Sequence, residues 1–478
     1  MVPLLNEAEI KNLIADMWRI HLSELGWLDR IYEYSIGLRG RPETPEGASR
    51  EVKDLARLSV KNVLGLVRDS FSQNLSVVGY RSALAQENDP AWAMWQRNRM
   101  DARQAEVHRP ALTYGASYVT VTPGPKGPIF RPRSPRQILA VYDDPALDEW
   151  PQYALEMWVT NKDAKRHRRG RLYDDTNIYE LDLGWLTPEA QAIERSATIP
   201  VNMVSVDDVR PHGATYNGEP VCPVVRFVNA RDADDLIIGE VAPLILLQQA
   251  INSVNFDRLL VSRFGAQPQW VITGWTAEAA QVLKASAARV MAFEEPDVRA
   301  QSLPAGSVTP YNDVLEEMLQ HVAMVAQISP AYVTGKMVNL SAEALAAAEA
   351  NEQRKLTAKR ESFGESWEQV LRLAAEMDGD TETSGDSGAE VVWRDTEART
   401  FAAIVDGVVK LSQAGVPVEQ LLDVVPGMTQ QKIQAIQKSM RGARVSSLMD
   451  RLMAAPTEDN SDAAGNAAVP QPADESVA

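Results

Sequence analysis

Between Ser341 and Asp378 the sequence contains no proline and a single glycine, Gly364, so the segment reads as one helix ending at Gly379. At 1.5 Å per residue that helix is on the order of 55 Å long, and any fold must be arranged around it. Ser341 is placed to cap it, and Glu343 lies in the first turn, where the helix dipole favours negative charge. Its second half carries an apolar stripe of Phe363, Trp367, Val370, Leu371 and Ala374. The first half offers only Leu345, Leu356 and alanines among many charges. That asymmetry predicts a rod facing a core at one end and a partner surface at the other. Just before it, "YVTGKMVNL" carries Gly335, Asn339 and one basic residue, Lys336, and reads as a flexible loop.

With 478 residues the chain exceeds what one hydrophobic core serves, and roughly two to four packed units are expected. The balance is acidic, 65 Asp and Glu against 48 Lys and Arg, which excludes an ordinary DNA binder with a basic face. The single cysteine, Cys222, excludes a disulfide framework and sits in the apolar stretch "EPVCPVVRFV", where a buried core residue is expected. Neither a signal peptide nor an apolar run near the roughly 20 residues of a membrane span is visible, which points to an intracellular, reducing setting.

Elsewhere the pattern is that of an α+β, mostly helical chain. Asn6 caps a first helix with Ile10, Leu13, Ile14, Met17 and Ile20 on one face. A second helix from Ser49 aligns Val52, Leu55, Val63, Leu66 and Val67, and a third occupies 89–115. Between 116 and 229 the runs "SYVTVTPG", "PIFRPRSP", "ILAVYDDP", "QYALEMWVT", "TNIYELDL" and "VCPVVRFVN" predict a largely antiparallel sheet. Two long helices follow. One runs from near Glu240 to Gly265, and the other is capped by Thr309, has Pro310 in its first turn and stops at Ser329. The segment "DGDTETSGDSGAE" (378–390) reads as a mobile acidic loop, "VVWRD" as a strand, and 456–478 as a disordered acidic tail.

Catalytic signals are weak. The histidines His21, His108, His167, His212 and His321 show no metal-ligand spacing. "TGKM" fails as a phosphate loop, because Pro330 stands where its first glycine belongs and Met337 replaces the Ser/Thr. "GDSGA" lacks a β-barrel context, and Asp143, Asp144, Asp232, Asp234 and Asp235 read as turn-formers and caps. Trp92 and Trp95 read as core. The cluster "NKDAKRHRRGR" (161–171) fits a nucleic-acid patch, a solvated hairpin tip or an intersubunit salt-bridge surface.

The order of these parts resembles the tailed-bacteriophage portal proteins, the head-to-tail connector family, of the siphophage type that infects Gram-positive hosts. The pieces that carry the resemblance are "YEYSIG", "ALTYGASYVTV", "ILAVYDD", "PVVRFVN", "ISPAYVTG" and "NLSAEALAAAEANEQRKLTAKRESFGESW", spread over residues 4–453. The resemblance implies a portal-type fold with a wing (1–235), a stem helix (236–265), a clip (266–308) and a second stem helix (309–329) around a central channel. A tunnel loop, long wing helix and returning strand (330–397), a crown (398–455) and the tail complete it. It further implies a ring of about twelve copies at one capsid vertex, closed by rotational symmetry. Double-stranded DNA passes through that ring. Its partners would be the terminase large subunit, a head–tail adaptor, the major capsid protein and scaffold. The protein would belong to the virion and assemble in the host cytoplasm, with no membrane, cofactor, metal or catalytic residue of its own.

By the same resemblance Val333, Thr334, Gly335, Lys336, Met337, Val338, Asn339 and Leu340 form the tunnel loop, with Lys336 able to touch phosphate. Gln269, Trp270, Trp275, Glu294, Glu295 and Asp297 belong to the docking clip, and Phe363 and Trp367 anchor the long helix. Two readings compete: a metal-dependent nucleic-acid-processing enzyme using Asp143, Asp144, Asp232 and Asp234, and a monomeric helical scaffold.

Overall fold

The computed structural model describes residues 4–81, 90–162, 165–186, 204–265, 270–273, 299–302, 306–335, 342–396 and 401–417, with scattered residues up to 440. The chain divides into two units, Met1–Phe401 and Ala402–Ala478. In the second, the described structure is chiefly the continuation of a helix, Phe401–Gln413, closed by a turn at Gly415. The first unit holds the described sheets and the longest helices.

Helix α1 (Glu7–Ser35) starts in a capping box. Asn6 Oδ1 accepts from the amides of Ala8 and Glu9, and Glu9 Oε2 accepts from the Asn6 amide at 2.8 Å. Ile10, Ile14, Met17 and Trp18 are buried, whereas Ile20, expected on that face, is exposed.

The helix expected from Ser49 is two, α2 (Arg50–Leu58) and α3 (Val63–Asn74), with Leu66 exposed. Strand β1 (Val77–Arg81) comes next. The helix expected over 89–115 is three: α4 (Pro90–Arg97), α5 (Met100–Arg103) and α6 (Ala105–Tyr114). Asn98 explains the first break. Its side chain accepts from the Phe130 amide and donates to the Pro128 carbonyl, and Arg99 beside it turns left-handed at φ 55°. Gly115 ends α6 at φ 102°, where a Cβ would lie 2.8 Å from Ile237 Cγ2.

The strands β2 (Ala116–Thr122), β3 (Ile129–Arg133), β4 (Ile138–Val141), β5 (Tyr153–Lys162), β6 (Lys165–Tyr173), β7 (Asn177–Trp185) and β8 (Ser205–Pro211) are followed by the short β9 (Thr215–Tyr216) and β10 (Glu219–Pro220), then β11 (Val224–Val228). Strands β4 to β8 form a five-stranded antiparallel meander, and β11-β2-β3 a second antiparallel sheet. The N-terminal half of α1 covers one face of the meander, packing Ile10, Ile14, Met17 and Trp18 on Leu155, Leu172 and Leu181. The chain is therefore α+β with antiparallel sheets, as its residue patterns predict.

Helix α7 (Ile245–Leu260) is preceded by a 3₁₀ turn at Ala242–Leu244 and followed by a π-helical turn at Val261–Gly265. Strands β12 (Trp270–Thr273) and β13 (Arg299–Ser302) pair antiparallel. Helix α8 (Thr309–Ala326) has Val308, not Thr309, at its cap, with no side-chain capping bond. The short α9 (Pro330–Thr334) leads towards α10 (Ala342–Met377), a helix of 36 residues. The expected mobile acidic loop instead holds α11 (Thr381–Ser384), capped by Asp380 and with Thr383 and Asp386 buried. Strand β14 (Glu390–Trp393) then pairs with β1.

The larger core gathers α3, α4, α6, α7, α8 and α10 with β2, β3 and β11. No helix among the described residues is long and apolar enough to cross a membrane. The tail 456–478 lies outside the described residues.

Candidate functional site

The long helix α10 is held at two places by opposite chemistries. In its C-terminal half Phe363, Trp367, Val370, Leu371 and Ala374 are all fully buried. Trp367 meets Trp95 and Phe227 edge-on, at 4.8 and 4.7 Å between ring centres. Its indole Nε1 donates to His108 Nε2 at 2.9 Å, while His108 Nδ1 lies 3.2 Å from the Leu75 carbonyl. Those bonds require the neutral tautomer with the proton on Nδ1. Burial enforces it, pulling the imidazole down to about 3 despite the Leu75 carbonyl. Phe363 stacks on the same imidazole at 5.4 Å. The Trp92–Trp95 pair is likewise core, stacked at 5.5 Å.

Nearer its N-terminus α10 contributes charges, and these face inward. Lys355 Nζ lies 2.5 Å from Glu240 Oε2 and donates to the Ala326 carbonyl at the end of α8. Lys359 Nζ lies 2.6 Å from Glu240 Oε1 and 2.5 Å from Asn229 Oδ1, and Asn229 Nδ2 donates to Glu240. Both ammonium groups sit over the Phe71 ring. Burial alone would raise the Glu240 carboxyl, but Lys359 and Lys355 more than reverse that and hold it below its usual value. Burial also pulls the Lys359 ammonium down, against the attraction of Glu240. One turn earlier, Glu352 Oε2 accepts the Ser329 amide, and burial pushes its carboxyl up. This cluster binds α10, the entry to α7 and the exit of α8 together. Sequence reasoning assigned these charges to a partner surface, and no local signal marked them as inward, because Glu240 lies 115 and 119 residues away.

Helix α7 is tied to the preceding helices by a seam of buried amides. Gln248 accepts from the Val63 amide, Asn252 accepts from the Lys61 amide and donates to Gly40, and Asn255 donates to the Ser59 carbonyl. These bonds take up the backbone of 59–63, which explains why α2 and α3 are separate. Helices α7 and α8 pack antiparallel, with Arg258 bonded to Asn312 and the Gly306 amide to the Gly265 carbonyl. Leu246 on α7, Phe264 in its π-helical turn, and Val314, Met324 and Val325 on α8 are exposed.

The residues expected in the tunnel loop are only partly described. Val333 and Thr334 close α9, and Gly335 caps it at φ 69°, its amide bonded to the Ala331 carbonyl. Lys336, Met337, Val338, Asn339 and Leu340 lie outside the described residues, as does Ser341. Of the clip residues, Trp270 lies in β12 opposite Ser302, whereas Gln269, Trp275, Glu294, Glu295 and Asp297 lie outside the described residues.

The basic cluster 161–171 is taken up mostly by the β5–β6 hairpin, and much of its charge is paired within the sheet. Arg171 bonds Glu180, Arg169 bonds Asp207, His167 bonds Asp182, and Arg168 lies 5.0 Å over the Trp18 ring. Cys222 is buried, and burial raises its thiol well above the ordinary value. Asp144 and Asp232 accept backbone amides of their own turns, and Asp235 pairs with Arg231. Among the described residues no group of three His, Cys, Asp or Glu side chains could hold a metal ion.

The family described as "Phage portal protein, SPP1 Gp6-like" matches residues 69–444. The chain belongs to this family of phage portal proteins. The portal protein of Mycobacterium phage D29 is 26% identical over 369 residues, 72% of this chain and 70% of that one. The portal protein of Mycobacterium phage L5 is 27% identical over 369 residues, with the same shares. Among solved structures, a chain from the virion of a native gene transfer agent particle covers 83% of this chain and 100% of its own length, at a TM-score of 0.42 and 12% identity. As a portal protein the chain is a structural component of the phage virion at the capsid vertex, and the family implies a capsid-associated ring oligomer. Neither the enzyme nor the monomeric scaffold has support from these relatives.

Proposed function

We propose that about twelve copies close into a ring around a channel for double-stranded DNA, used in packaging and again in ejection. Helices α7 and α8 form the stem of each copy, residues 266–308 the clip and 1–235 the wing. The terminase large subunit docks on the clip during packaging and the head–tail adaptor afterwards, with Gln269, Trp270, Trp275, Glu294, Glu295 and Asp297 in the docking surface. Residues 333–340 narrow the channel at the mouth of α10, where Lys336 meets phosphate. Residues 398–455 form the crown. Assembly takes place in the host cytoplasm with scaffold and major capsid protein. The chain contributes no catalytic step, metal or cofactor.

One observation carries this reading: the antiparallel pair α7–α8 leaves Leu246, Val314, Met324 and Val325 exposed. Apolar side chains left exposed on two packed helices fit burial against the same helices of neighbouring copies. Native mass measurement and negative-stain imaging of the purified chain test it. The expected result is a ring with a hole wide enough for a duplex, which Met324→Glu reduces to smaller species. A chain that stays monomeric at every concentration, also in the presence of scaffold and capsid protein, would sink it.

A further inference from the structure

A cleft of about 270 Å³ opens between the C-terminal half of α1, α3, α6 and the turn after β3. Its walls bring together three arginines from three elements, Arg68, Arg109 and Arg136, with the phenols of Tyr32 and Tyr114 and with Gln137 on its rim. In a chain of net charge −17 this is an unusual concentration of positive charge facing one cavity.

Two of the guanidinium groups are held in place. Arg68 makes a bidentate pair with Asp69, at 2.8 and 2.9 Å, and its side chain is 18% exposed. Arg136 donates to Asp29 at 2.7 Å, lies 3.9 Å over the Tyr32 ring and is 13% exposed. Arg109 differs: its side chain is 55% exposed, and its Nε lies 3.7 Å from Asp69, beyond hydrogen-bond reach. Since Asp69 already accepts twice from Arg68, three guanidinium groups face two carboxylates. The surplus charge falls on the arginine that lies open to the cleft.

We infer that this cleft is a binding site for a small phosphate-type oxyanion, with Arg109 as the group that grips it and Arg68 and Arg136 as the pre-set walls. A planar guanidinium donates to such an ion in a fork, and the neighbouring carboxylates keep the other two arginines from collapsing inward. The volume lies just below the roughly 300 Å³ where ligand pockets begin, so one phosphate group or a small phosphate monoester fits and a nucleotide does not. The inference is independent of the ring and of the channel.

The test uses the full-length chain, with inorganic phosphate titrated against chloride at matched ionic strength and read by calorimetry and by the thermal midpoint. Phosphate is expected to bind and to raise the midpoint. Arg109→Ala should weaken binding by roughly tenfold or more, the loss of one charge-assisted fork. Arg109→Lys should recover part of it, and Gln137→Glu, on the exposed rim, should weaken phosphate while leaving the fold intact. A short DNA duplex at equal phosphate concentration and ionic strength separates the two sources of this chemistry, and it is expected to show no Arg109-dependent binding. Absence of phosphate binding, an equal response in Arg109→Ala, or Arg109-dependent binding of the duplex but not of free phosphate would each overturn the assignment.

Discussion

The two halves of α10 are one continuous helix built on opposite principles. From Phe363 to Ala374 it is held by rings and aliphatic groups around one neutral histidine. From Glu352 to Lys359 it is held by ions: two lysines share one glutamate, one on each oxygen, and Glu352 takes the Ser329 amide. Apolar burial is a non-directional driving force, and what seats this half in register is the shape of the close-packed rings and the single bond from Trp367 to His108. A buried ion cluster works through its bonds alone. It adds little net stability, but it is costly to break and admits one arrangement. The apolar half thus holds α10 in the larger core, and the ionic half ties it to the entry of α7 and the exit of α8.

The largest expected effect breaks the apolar half. Trp367→Ala removes a fully buried ring together with the donor to His108, and should cost about 3–5 kcal/mol in denaturant unfolding. A loss below about 1 kcal/mol would mean that the aromatic cluster is not what secures the helix. Breaking the ionic half should cost about 3 kcal/mol, since Glu240→Ala leaves Lys359 buried without its carboxylate. Adding Lys359→Met to that variant should recover much of the loss, because the desolvated charge goes with its partner. Non-recovery would identify a packing role instead.

Acid titration separates the halves, and over any single pH unit it gives the smallest effect. His108 falls from an ordinary 6.5 to about 3 in the fold, so its contribution is complete above pH 6.5 and is lost as the pH falls towards 3, at up to about 1.4 kcal/mol per pH unit. Glu240 is also depressed, from 4.5, so its contribution is lost at more acid pH, as the pH falls through its lowered value. His108→Gln should therefore flatten the stability curve between pH 6.5 and 4.5 and leave the steeper acid limb in place. Buried His21 and His212, lowered in the same sense, keep the slope from vanishing. An unchanged slope would contradict the neutral His108 that the bond from Trp367 requires.

Local chemistry made much of the fold readable. The absence of proline marked α10, Asn6 as a cap marked α1, and runs of alternating β-branched and aromatic residues marked the sheets. Those signals act between residues a few positions apart, and they survive folding because nothing distant opposes them. Breaks in the helices were not readable. Asn98 leaves its helix to bond a hairpin 30 to 32 residues away, and residues 59–63 leave theirs for amides of α7 185 to 196 residues on.

The same division runs through the candidate sites. The order of segments resembled the portal family, and Phe363 and Trp367 stood out because an apolar stripe is periodic. The inward turn of Lys355 and Lys359 did not stand out, because their carboxylate lies 115 and 119 residues earlier in the chain. Nor did the arginine cleft, whose walls come from segments with no common pattern. Sequence by itself determined most of the long elements and their order, since backbone and side-chain preferences are local. Which charges are buried, and against what, was decided only in the tertiary structure, where pairing energy depends on distances the linear chain does not contain.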